Sequence, residues 1–96
     1  MSTAPDLAEL SRLLKRLLPA GYHTVLFGSR ATGQGRPGSD WDIGILGPAT
    51  LRGALVQAIR EQLEELPTLH SFDVVDLTSV PENFREVALR NAIRLA

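Results

Sequence analysis

Leucines recur at helical spacing in the first part of the chain. Those between positions 7 and 18 stand three or four residues apart, with charged side chains between them. This is the pattern of an amphipathic helix. We therefore predict a first helix over residues 6–18, ended by Pro19 and Gly21, with Thr3 and Asp6 as the candidate N-terminal cap.

Three short apolar runs predict strands. They cover residues 23–27, 41–46 and 72–77, and turn-forming residues flank each of them. The glycine-rich segment after the first run predicts a turn, a short helical piece and a loop. The order of elements therefore indicates an α/β (α+β) domain.

Two further helices are predicted by the same criterion. Apolar residues between positions 51 and 66 keep a helical period up to Pro67. The segment from Ser79 to Glu82 resembles a capping box with proline in the first turn, so a last helix should follow it. Its apolar residues expected to face the core are Phe84, Val87, Ala88 and Ile93.

The length of 96 residues predicts a single domain over 1–96, without room for a separate substrate-binding domain. A hydrophobic content of 44% and a charged content of 22% are ordinary for a globular protein. The formal net charge of −1 gives no strongly basic surface, so we rank a long nucleic acid low as a partner.

Cysteine is absent from the sequence, which excludes disulfides and a thiolate zinc site. No signal-peptide pattern and no apolar run long enough to span a bilayer is found in the sequence. We therefore expect a cytoplasmic protein without a membrane partner.

The chemistry concentrates between the first two predicted strands. Asp40 and Asp42 project to the same side, because side chains of a strand alternate with a period of two, and they can share a divalent metal. Gly28 lets the backbone approach a phosphate without a Cβ, and Ser29 adds a hydroxyl donor. A phosphate site beside a metal site suggests a nucleotide.

The segment LFGSRATG (26–33), with SDWDI (39–43), resembles the signature of the polymerase-beta-type nucleotidyltransferases. The short chain points to the minimal nucleotidyltransferase (MNT) group of prokaryotes. The segment FDVVDL (72–77) resembles the strand that carries a third carboxylate in this superfamily. The resemblance covers nearly the whole chain and implies the nucleotidyltransferase fold, a small mixed sheet flanked by helices.

The resemblance implies that Asp40 and Asp42 bridge two Mg²⁺ ions and that Asp73 completes the metal site beside the acceptor hydroxyl. Carboxylates suit magnesium, and two ions can clamp the attacking and leaving oxygens. Asp76 competes with Asp73, but a separation of three places them on opposite faces of a strand. The family pattern fits Asp73 better, which leaves Asp76 as a strand-end or turn carboxylate.

Gly28, Ser29 and Arg30 are the predicted nucleotide-binding residues. Arg30 and Arg36 lie in or near the same loop, and either guanidinium could pair with the triphosphate, although the family pattern fixes neither. Trp41 lies between the two aspartates and should face the core rather than a base.

The MNT resemblance further implies transfer of AMP from ATP to a hydroxyl acceptor. Members of this group commonly pair with HEPN-domain toxins, and the MNT protein acts as antitoxin by adenylylating a tyrosine of the toxin. One alternative is a binding module that neutralises its HEPN partner by contact alone. Another is an antibiotic-type, small-molecule nucleotidyltransferase, for which a homodimer or partner subunit would have to hold the acceptor.

Overall fold

The computed structural model describes residues 5–36 and 39–96. Thr3 of the predicted cap lies outside these residues, as do Pro37 and Gly38 of the predicted loop. In chain order the elements are α1 (Leu7–Leu17), β1 (His23–Phe27), α2 (Ser29–Thr32), β2 (Trp41–Leu46), α3 (Gly53–Glu64), β3 (Phe72–Asp76), α4 (Glu82–Leu89) and β4 (Ile93–Arg94). The predicted α/β class is confirmed, and β1 and β2 have the predicted bounds.

The first helix begins where its side-chain cap is. Asp6 is the N-cap residue, and its Oδ1 accepts hydrogen bonds from the amides of Ala8 and Glu9 at 3.1 and 3.2 Å. These bonds satisfy two of the amides that lack partners at the start of a helix. Leu10 and Leu14 are buried, so the leucine face covers the core as predicted.

The four strands form one mixed sheet in the order β3-β2-β1-β4. β1 runs antiparallel to β2 and β4, whereas β2 and β3 are parallel. β4 was not predicted, because two residues are too few for a periodic pattern and its pairing with β1 is distant in sequence. β3 is an edge strand, and its Val74 carbonyl accepts a hydrogen bond from the guanidinium of Arg60 on α3 at 2.9 Å.

The core is divided between the two faces of the sheet. Alternate residues of β1 point to opposite faces, so Leu26 joins one cluster while Val25 and Phe27 join the other. The larger cluster lies under α1 and α3, and the smaller one lies under α4. The fully buried side chains of the larger cluster include Leu10, Leu14, Leu26, Ile43, Ile45, Ile59 and Val74.

The expected burial of the last helix is only partly correct. Ala88 is buried, but Phe84 and Val87 are 47% and 64% exposed, and Ile93 belongs to β4 and is 44% exposed. The inward placement is therefore wrong for Val87 and Ile93. Phe84 is half exposed, and its ring packs edge-on against Phe27 with the centroids 6.5 Å apart. The α4 helix has only eight residues and covers part of one sheet face, which leaves Val87 largely exposed.

The start of α4 also differs from the predicted capping box. Pro81 is the N-cap and receives no side-chain cap bond, while the Ser79 hydroxyl donates to the Asp76 carbonyl at 3.0 Å. Among the described residues, the helices lack the length and apolar character needed to cross a membrane.

Candidate active site

The turn after β1 requires glycine. Gly28 has φ +76° and ψ −159°, a conformation that is essentially confined to glycine, and α2 begins at the next residue. A Cβ at Gly28 would also overlap the carboxylate of Asp42. The missing side chain therefore lets the glycine-serine turn and the Asp42 carboxylate touch.

Strand register places two of the predicted site residues side by side. Asp42 is paired with Phe27 of β1 on one side and with Asp73 of β3 on the other. Paired residues of neighbouring strands point to the same face and lie about 5 Å apart. Asp40 stands two residues before Asp42, on the same side of the chain, so the sheet brings all three predicted carboxylates to one end.

The Asp42 carboxyl group lies in a partly buried, negatively charged environment. Burial raises its pKa above the ordinary value of 3.8, and the negative charges of Asp73 and Asp40 raise it further. Desolvation and like charge both oppose ionisation of a carboxyl group. The site therefore concentrates negative charge in a partly desolvated place, where a bound cation would stabilise the ionised form.

The donor set fits magnesium held together with a nucleotide. Within residues 5–36 and 39–96, no three His, Cys, Asp or Glu side chains are arranged to enclose a metal ion. Magnesium keeps several waters and usually takes one or two carboxylates plus substrate phosphates, rather than a cage made by protein alone. Neighbouring carboxylates beside a turn that can receive phosphate suit that mode of binding.

Ser71 is a site residue that the sequence patterns did not identify. Its hydroxyl donates a short hydrogen bond to Oδ1 of Asp40, and its carbonyl accepts from the Trp41 amide at 2.9 Å. The two bonds hold the segment before β2 against the segment before β3. The only signal in the sequence is that Ser71 precedes Asp73 by two residues, which places both on one side of an extended chain.

Asp76 has a different place from Asp73. Its carboxylate accepts hydrogen bonds from the amides of Leu51 and Thr78 at 2.9 and 3.0 Å. The first bond ties the loop before α3 to β3, and the second closes the turn after β3. The structure thus gives Asp76 two backbone partners, and it brings Asp73 into register with Asp42.

The Trp41 side chain lies on the face of the sheet opposite Asp42. The indole is 7% exposed and belongs to the larger core cluster, as predicted. Its Nε1 donates to Nδ1 of His70 at 3.2 Å, and the guanidinium carbon of Arg30 lies 4.7 Å from the ring centroid. The predicted phosphate ligands Ser29 and Arg36 are both exposed to solvent.

A mixed sheet that gathers carboxylates beside a glycine-serine turn is an arrangement suited to nucleotide chemistry, because it can hold a phosphate chain and its cation together. Residues 22–96 match the family described as "Polymerase beta, Nucleotidyltransferase". The chain belongs to this family. No curated protein matches the chain.

Solved structures of related fold include toxin–antitoxin complexes. One, a toxin–antitoxin with AMP-PNP, is 25% identical over 96% of this chain and 73% of its own, with a TM-score of 0.73. Another is the structure of a tri-AMPylated Shewanella oneidensis HEPN toxin in complex with MNT antitoxin. The matching chain of that complex is 23% identical, the match covers 94% of this chain and 68% of that chain, and the TM-score is 0.64. The latter likeness shows the fold alone.

A protein assigned as a minimal nucleotidyltransferase is also similar. It is 25% identical, covers 96% of this chain and 98% of its own, and has a TM-score of 0.57. The similarity therefore extends over nearly the full length of both chains. Together with the family match and the toxin–antitoxin structure with AMP-PNP, it confirms the resemblance that the sequence motifs indicated.

Proposed function

We propose that the protein transfers AMP from ATP to a hydroxyl group of a HEPN-domain toxin, specifically the hydroxyl of a tyrosine, and thereby acts as the antitoxin of that protein. The observation that carries the proposal is the contact of Asp42 with Gly28, in register with Asp73. This contact joins the turn suited to phosphate and the carboxylates suited to metal. The neighbouring structures with AMP-PNP and with an AMPylated HEPN toxin support the choice of nucleotide and acceptor.

The predicted carboxylates and the glycine-serine turn have separate parts in the proposed reaction. Asp40, Asp42 and Asp73 would hold two Mg²⁺ ions, whose chemistry when bound is to neutralise charge on the attacking and leaving oxygens. The backbone at Gly28 and the hydroxyl of Ser29 would bind phosphate oxygens of the leaving pyrophosphate.

In the transfer, the acceptor oxygen forms a bond to the α-phosphorus of ATP while the bond to the pyrophosphate oxygen breaks. The acceptor proton must leave as this bond forms. We assign this step to Asp73, which would take the proton directly or through water, as a general base. The products are the AMP ester of the acceptor and pyrophosphate, and we expect the reaction in the cytoplasm.

The proposal is tested by incubating the protein with magnesium, ATP labelled at the α-phosphate and the product of its neighbouring gene, which we expect to be a HEPN protein. We expect the wild type to label the HEPN protein on a denaturing gel and Asp42→Asn to leave it unlabelled. Asp6→Asn is the matched control, because it makes the same chemical change at an N-cap where asparagine serves as well as aspartate. Equal labelling by Asp42→Asn and wild type would refute the assigned site.

The second candidate function is neutralisation of a HEPN partner by contact alone. The exposed apolar side chains of Phe84 and Val87 on α4 favour it, because such a surface suits a protein partner. A contact antitoxin should protect cells equally well with Asp42→Asn, whereas Phe84→Ser with Val87→Ser should abolish protection. Loss of protection with Asp42→Asn, while the complex still forms, would instead support catalysis.

A further inference from the structure

The side chain of Arg30 is partly buried and packs on the face of β2 opposite Asp42. Its guanidinium carbon lies 4.7 Å from the centroid of the Trp41 ring, within the range of a cation–π contact. Its Nε and Nη2 both donate to the Ser39 carbonyl, at 3.4 and 3.1 Å. A Cβ at Gly35 would overlap the Arg30 side chain, so the backbone passes directly against it.

These contacts determine where the charge of Arg30 is directed. Trp41 packs in the core cluster under α1 and α3, and Asp42, one residue further along the strand, points to the opposite face. The guanidinium over the Trp41 ring is therefore separated from the Asp42 carboxylate by the backbone of β2. This placement does not direct the charge toward a triphosphate held at Asp42 and Gly28.

Arg30 also connects the two halves of the site. It belongs to α2, one residue after Ser29, and it holds Ser39 and Trp41, which flank Asp40. We propose that Arg30 is a positioning residue: it clamps the start of β2 onto α2 and so fixes the distance between the glycine-serine turn and the carboxylates. The catalytic part of this inference rests on the function proposed above.

Trp41 is the one tryptophan in the sequence, so tryptophan fluorescence reports on this position alone. The measurement needs neither metal nor activity. We compare metal-free wild type with Arg30→Met, which keeps the aliphatic stem and removes the charge and the donors. We expect Trp41 emission to move to longer wavelength and its quenching by acrylamide to increase. The matched control, Arg36→Met, should leave both unchanged. If Arg30→Met shows the same Trp41 emission and quenching as the wild type, the inference that Arg30 clamps β2 is overturned.

The kinetic test separates positioning from phosphate binding. A positioning role predicts that Arg30→Met lowers kcat for AMP transfer about 10- to 100-fold, whereas KM for ATP changes less than about threefold. A KM increase with kcat retained would instead identify a phosphate ligand and overturn the inference.

Arg30→Lys provides a second variant in case Arg30→Met does not fold. Lysine keeps the charge but lacks the planar fork, so we expect kcat to stay low. Full restoration of kcat by lysine would also overturn the inference. If the wild type transfers no AMP, the proposed function fails, and Trp41 quenching alone decides whether Arg30 holds the segment.

Discussion

Substitution of Gly28 by alanine tests whether the turn and the carboxylate are joined as the structure shows. The φ and ψ of Gly28 lie in a region that costs a residue with a Cβ about 1–3 kcal/mol. The added Cβ would also displace the Asp42 carboxylate, and such contacts couple with an energy of about 0.5–3 kcal/mol. We therefore expect Gly28→Ala to lower the free energy of unfolding by about 1.5–6 kcal/mol, the sum of both effects.

Gly33 provides the matched control for the backbone part. It has φ +77° and ψ 9° at the other end of α2, and a Cβ there would meet no atom of residues 5–36 and 39–96 within 4 Å. Gly33→Ala should therefore cost only about 1–2 kcal/mol, the ordinary penalty of the left-handed conformation.

Urea unfolding measures both variants, alone and in an Asp42→Ala background. Asp42→Ala removes the carboxylate that the new Cβ would overlap, so Gly28→Ala should cost less in that background. Equal costs for the two glycine variants, with no coupling to position 42, would refute the contact between the turn and Asp42. In the AMP-transfer assay, Gly28→Ala should lower kcat about 100-fold, because displacement of a catalytic group by about 1 Å has effects of that size.

Three further changes test other features of the molecule. Because the folded protein raises the pKa of Asp42 above 3.8, it binds the proton more tightly than the unfolded chain, and stability falls as pH rises from 3.8 through the folded pKa. Thermal unfolding in EDTA should therefore show Asp42→Asn more stable than wild type at pH 7, with the gap closing toward pH 3.5; a constant gap would contradict the pKa shift. Asp76→Ala should destabilise the fold by about 1.5–3 kcal/mol, since two backbone amides lose a charged acceptor; a loss under about 0.5 kcal/mol in urea would contradict this role. Thr24→Val should stabilise the fold by about 1 kcal/mol, because the buried Thr24 hydroxyl has no hydrogen-bond partner in the described part of the chain; a decrease in the urea midpoint would show that the hydroxyl finds one.

The elements with a strong period were predictable from the sequence. The leucine repeat of α1 reflects burial of one helix face, and the continuous apolar runs of β1 and β2 reflect strands covered on both faces; a local pattern records either kind of burial. The common side of Asp40 and Asp42 follows from the period of a strand in the same way. The grouping of these two carboxylates could therefore be predicted before the sheet was known.

The rest depended on contacts between distant parts of the chain. No local pattern encodes the register that sets Asp42 beside Asp73, or the pairing of the two-residue strand β4 with β1. The exposure of Phe84 could not be predicted either, since it depends on how much of the sheet α4 covers. Ser71 was missed because a single serine before a strand has no distinctive pattern.

One face of the sheet carries most of the core packing, and the other carries the candidate site. Most of the buried apolar side chains lie under α1 and α3, whereas Asp42 and Asp73 point to the face that α4 covers only in part. Substitutions in the row of carboxylates therefore remove little of the packing that holds the fold. A descendant of this protein could lose its chemistry and keep its shape, so that an enzyme and a pure binding protein would be a few substitutions apart on the same scaffold.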